Sequence, residues 1–104
     1  MNPDKLNGEQ VSHMAEVLQA IGNPYRLEIF MLLGMKGPQG WAEIKADVIN
    51  KLGEVDPSVI NFHLHKLVQS GLVVSEGGNR FNVNTKNPDI NFMLCVLNML
   101  NPNP

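Results

Sequence analysis

The sequence has little of what most chemistries need. A single cysteine, Cys95, excludes an internal disulfide framework and fits a reducing compartment. No apolar run reaches the roughly 18 to 20 residues needed to span a bilayer, and the first ten residues are polar, without the apolar core of a signal peptide. A cytoplasmic chain with no membrane partner is expected. Nucleophile-elbow, phosphate-loop and zinc-hydrolase motifs are missing and the carboxylates are scattered, so neither catalytic residues nor a cofactor is expected. Cations are also scarce: 8 Lys and Arg stand against 10 Asp and Glu, a formal charge of -2. Between Lys45 and Lys86 five basic residues face four acidic ones, so that segment offers few clamps for a polyanion.

What is present is local order. The 104 residues suit one domain, and a domain of this size buries only a modest core. The most informative stretch runs from Asp56 to Val83. Asp56-Pro57 is a helix start, the aspartate as N-cap and the proline at the first helical position. Ile60, Leu64, Leu67 and Val68 then share one side of a helix predicted over 57–70, and Gly71 stops it. Glu76-Gly77-Gly78-Asn79 divides a hairpin predicted over 72–84.

The remaining helices follow from periodicity. Val11, Met14, Ala15, Val17, Leu18 and Ile21 form an apolar stripe on a first helix (9–21), after an arm Met1–Gly8 without periodicity. Pro24 opens a second helix (24–34), so apolar that it belongs in the core, with Arg26 expected in an ion pair or hydrogen bond at its start. Gly34–Gly40 reads as a loop. A third helix (41–52) puts Trp41, Ile44, Val48 and Leu52 on one side, and Val55 is expected to fill the gap between it and the next helix. A last helix (88–100) is apolar all round apart from Asn91 and Asn98, and one small domain can cover only one side of it. Asn101–Pro104 ends it as a disordered tail.

Two blocks carry a resemblance. Asn23-Pro24-Tyr25-Arg26-Leu27-Glu28-Ile29-Phe30-Met31-Leu32-Leu33 is similar to the "D-P-x-R-L-x-I-L-x-x-L" helix of the ArsR-type repressors. Ser58-Val59-Ile60-Asn61-Phe62-His63-Leu64-His65-Lys66-Leu67-Val68-Gln69-Ser70-Gly71-Leu72-Val73 is similar to their "S-T-V-S-x-H-L-x-x-L-x-x-A-G-L-V". The order and spacing agree over about Leu18 to Asn84, so the chain resembles an ArsR-like, archaeal-type regulator. The resemblance implies a mainly helical winged helix-turn-helix fold with a small β-hairpin wing. It also implies a homodimer through the terminal helices and double-stranded DNA as partner. The segment from Glu43-Ile44 to Gly53 is about one helical turn longer than in the family, which bears on the tilt of the recognition helix.

On that reading the DNA-contacting residues are Ser58, Val59, Asn61, Phe62, His65, Lys66, Gln69 and Arg80. Asn61 suits adenine or a phosphate and Ser58 a phosphate, while Val59 or Phe62 suits a thymine methyl group. His65, Lys66 and Gln69 would meet the backbone, and Arg80 a minor groove or phosphate. The expected dimer residues are Val11, Met14, Leu18, Phe92, Met93, Val96, Leu97 and Leu100. No metal is expected: the third helix has no cysteine pair, Asp89 is the one plausible ligand at the last helix, and His63 and His65 lie about 200 degrees apart on their helix. His63 reads as a core-edge residue and Cys95 as a small apolar interface residue, with no basic neighbour to activate its thiol. The other functional class is a winged helix serving as a protein-interaction module, suggested by the neutral face and by Phe62 and Val59. An apolar effector between the first and last helices, against Met14, Met93 and Met99, is a third possibility.

Overall fold

The computed structural model describes residues 7–100, and for Val96 and Leu100 the backbone alone. Five helices and three short strands follow in the order α1 (Gly8–Ala20), α2 (Pro24–Lys36), β1 (Gln39–Gly40), α3 (Trp41–Leu52), α4 (Pro57–Gln69), β2 (Val73–Ser75), β3 (Arg80–Val83) and α5 (Ile90–Leu100). The topology is consistent with a winged-helix-like domain. The expected arm shrinks, because Asn7 is a built N-cap: its Oδ1 accepts from the Gln10 N–H and Gln10 Oε1 accepts from the Asn7 N–H, both at 2.9 Å. Residues 1–6 and the tail 101–104 lie outside the described residues.

The ends of α2 and α4 show how the sequence sets boundaries. α2 runs two residues beyond the expected stop, because Gly37 rather than Gly34 leaves the helical region, at φ 79°. Gly34 stays inside the helix, where a Cβ would lie 2.9 Å from Leu94 Cδ2 of α5. α4 begins on Asp56, whose Oδ1 accepts from the Ser58 N–H at 2.9 Å. Gly71, at φ 83°, ends it: the Gly71 N–H donates to Val68 O at 3.0 Å and the Leu72 N–H to Leu67 O at 3.2 Å. That pair of bonds is a Schellman motif, with buried Leu72 supplying its apolar contact.

The predicted hairpin is present, but it is two strands of three. Strand order is β1-β3-β2, all antiparallel, with Gln39 opposite Phe81 and Ser75 also opposite Phe81. The loop expected over 34–40 therefore holds the end of a helix and a strand. β3 is the central strand, and its buried residues Phe81 and Val83 face the helices. Gly78 and Asn79 both take positive φ in the hairpin turn, closed by the Arg80 N–H to Gly77 O at 3.1 Å, a primed turn that matches strand twist.

The core lies between α2, α3, α4 and the sheet. Ile29, Phe30, Leu33, Ile44, Ile60 and Leu64 are its fully buried centre. Leu52, expected on the inner side of α3, is exposed, whereas Val55 is half-buried and packs against the core. α5 presents Ile90, Met93 and Leu97 to this core, and α1 closes over it with Val17, followed by Ile21 at its C-cap. Two amides hold the turn before α5: Asn84 Nδ2 and Asn87 Nδ2 both donate to the Gly71 carbonyl, at 3.0 and 2.9 Å. α5 starts at Ile90 rather than 88 because Asn87 shapes that turn, its Oδ1 accepting from the Asp89 N–H at 2.8 Å. Among the described residues no helix is long and apolar enough to cross a membrane.

Candidate nucleic-acid interface

α4 turns its apolar side to the core and leaves a polar row outside. Ser58, Asn61, Phe62, His65, Lys66 and Gln69 are all exposed and together line a shallow groove of about 350 Å³. Val59 is half-buried and sits beside this row rather than in it. Phe62 is 56% exposed, with Lys66 Nζ 5.3 Å from its ring centroid. That cation–π contact holds an ammonium over an outward aromatic face. The row thus offers a hydroxyl, two amides, an imidazole and one ammonium around a single apolar surface, a set able to pair with base edges and phosphates.

Between this row and the hairpin lies a second hollow of about 520 Å³. Asn61 and His65 form one wall, Gly77, Gly78 and Asn79 the other, with Trp41 and Ser75 alongside. His65 is set edge-on to Phe81, 6.4 Å between centroids. Trp41 and Ser75 were not legible as site residues: Trp41 arrives there because β1 pairs with β3, and its own N–H donates to Asn79 O at 3.1 Å. Arg80 stands apart from the row. Its Nη2 donates to Pro38 O at 3.2 Å, so the guanidinium ties the wing to the segment before β1.

Behind the row is a titratable layer. His63 stacks on Tyr25 with centroids 5.4 Å apart and planes 6° off parallel, as a core-edge residue should. Burial, with the Arg26 charge as a second cause, holds its pKa below the usual histidine value, and its Nδ1 is buried without a partner among the described residues. Among the described residues Arg26 does not make the expected side-chain pair: its Nε is also buried without a partner there, and at the start of α2 it is the Arg26 backbone N–H that donates, to Asn23 Oδ1 at 3.3 Å. Deeper, Glu28 of α2 pairs with Lys51 of α3 at 3.1 Å. Burial and then the Asp47 carboxyl push the Glu28 pKa up to about 7, against the pull of Lys51. The Lys51 ammonium is therefore engaged with Glu28, while Lys66 lines the groove and Arg80 lies in the wing. At the helix start, the Ser58 N–H holds the Asp56 carboxyl below the usual carboxylate range.

The expected dimer residues divide. Val11 and Leu18 are exposed, Met14 and Phe92 half-buried. Met93 and Leu97, at 0% and 4% exposure, are taken up by the chain's own core, because the inner side of α5 must be covered before any partner arrives. The side chains of Val96 and Leu100 lie outside the described residues. Met99 and Cys95 are exposed on the same helix. Among the described residues no three His, Cys, Asp or Glu side chains converge as metal ligands. His13 and Asp89, far apart in sequence, do meet, Nε2 to Oδ2 at 2.9 Å. Compared with known proteins, the chain matches no family model, no curated protein and no solved structure.

Proposed function

We propose that this chain is a DNA-binding transcriptional regulator, a homodimer of winged helix-turn-helix type resembling the ArsR-like repressors. One observation carries the reading: a capped helix with a continuous row of exposed hydrogen-bonding side chains runs directly into a tight hairpin beside it. In a major groove, Asn61 pairs with a base edge, Phe62 lies on a thymine methyl group, and Ser58, His65, Lys66 and Gln69 meet the backbone. Arg80 braces the wing and offers charge to a flanking phosphate. Two copies joined through α1 and α5, by Val11, Met14, Leu18 and Phe92, set their α4 helices about 34 Å apart on a pseudo-palindrome. No catalytic step, metal or cofactor enters this function.

The exposed Phe62 favours a second reading, in which the same row receives another protein and DNA is not bound. Anisotropy titration of promoter and random duplexes, with mass by light scattering, separates the two. The double variant Asn61→Ala and Lys66→Ala is expected to bind promoter DNA about tenfold more weakly while the dimer mass is unchanged. Unchanged binding in that variant overturns the site assignment, and a wild-type dimer indifferent to both duplexes selects the protein-interaction reading.

A further inference from the structure

The end of α4, one face of α1 and the turn leading into α5 enclose a cleft of about 440 Å³, within the size range of small-molecule sites. It is not the place expected for an effector between the terminal helices: Met14, Met93 and Met99 do not line it. Its floor is apolar, formed by Val17, Ala20, Leu72 and Pro88. Its rim is polar and of one sign. Glu16 and Asp89 bring carboxylates, His13 an imidazole and Ser70 a hydroxyl, and among the described residues no Lys or Arg lines it.

The two members of the His13–Asp89 pair are unequally held. The Asp89 side chain is 17% exposed and the His13 side chain 57%. Asp89 sits on a fixed turn, its N–H bound to Asn87, which is bound in turn to the Gly71 carbonyl. His13 can swing into water, and its departure leaves an Asp89 oxygen facing the cleft without a donor. Such a site favours a donor that carries positive charge and disfavours anions. A bare metal ion is a poor match, since the His13, Glu16 and Asp89 groups do not converge to ligand spacing and the floor offers it nothing.

We infer that this cleft binds a small organic ammonium ion with an apolar tail. The ammonium takes the place of His13 on Asp89, with Glu16 beside it, and the tail lies on Val17, Ala20, Leu72 and Pro88. The site is separate from the exposed row of α4, so it stands whether or not that row reads DNA.

The test is titration of the whole ¹⁵N-labelled chain with n-hexylammonium chloride, with hexanoate and hexanol as matched probes, followed by backbone amide resonances. Saturable shifts are expected at His13, Glu16, Val17, Ala20, Ser70, Leu72 and Asp89 with the ammonium. Hexanoate should bind at least about tenfold more weakly, and Asp89→Asn should weaken the ammonium about tenfold. Glu16→Gln, at an exposed position that leaves the fold intact, should weaken it about threefold. His13→Ala should tighten binding, because the imidazole competes for the same oxygen. Absence of saturable shifts, equal binding of hexanol or hexanoate, or weaker binding in His13→Ala overturns the proposal. If Asp89→Asn does not fold, the Glu16 and His13 variants decide it.

Discussion

Glu28 and His63 both follow the ordinary rule that buried groups shed charge, and their pKa values move in opposite directions because one is an acid and the other a base. Glu28, whose side chain is 11% exposed, holds a proton to about pH 7 in the folded chain, against a usual value of 4.5. Its contribution to stability is complete below 4.5, where both states are protonated, and declines as pH rises to about 7, because only the folded state holds the proton in that window. Glu28→Gln should flatten the fall of the thermal midpoint between about pH 5 and 7, measured by circular dichroism. An unaltered slope would place the Glu28 pKa near its usual value. His63 has the reverse sign. Its folded pKa lies below 6.5, so stability is complete above that value and is lost as pH falls through the folded-state pKa. His63→Phe keeps a ring against Tyr25 and removes the titration, and should abolish the acid-side loss. The two effects oppose each other below pH 6.5, so each single variant isolates one of them.

At the scale of elements, the C-terminus of α4 is the sharpest junction in the chain. Gly71 combines φ 83° with the two bonds of its Schellman motif, and a Cβ there would make only ordinary contact with Asn87 Nδ2, at 3.5 Å. Gly71→Ala should therefore cost about 1–2 kcal/mol through backbone strain alone, read by denaturant midpoint. A neutral result would mean that the junction rearranges. This junction was legible in the sequence, as were the caps of α4 and the hairpin turn, because Asp-Pro, Ser-Gly and Gly-Gly act on their immediate neighbours. β1 was not legible. Two residues carry no alternation, and the strand exists only because β3 comes to lie beside it. The inward side of α5 was equally hidden, since a helix apolar all round has no phase to read, and Met93 and Leu97 prove to belong to the core cluster. The exposed row of α4 followed from its periodicity, whereas the place of Trp41 and the hold of Pro38 on Arg80 depended on that unseen strand.

For the whole molecule, charge is the governing quantity. If the chain acts as the proposed DNA-binding dimer, Lys66 at the groove and Arg80 in the wing supply about four phosphate contacts, so the logarithm of DNA affinity should fall against the logarithm of salt with a slope of about -4. A slope twice as steep would require cations outside this face. The third strand bears on how the molecule reaches its shape. Arg80 and Pro38 meet across 42 residues of chain, and the whole of α3 and α4 lies inside the loop that their strands close. Closing such a loop costs entropy that only the finished sheet returns. The helical pair and the hairpin can form from near neighbours, and the β1 clasp should be the last piece to lock and the first to release. Amide exchange at Gly40 and Trp41 should accordingly outpace exchange in the middle of α4, which makes the wing's root a place where the fold opens before its helices do.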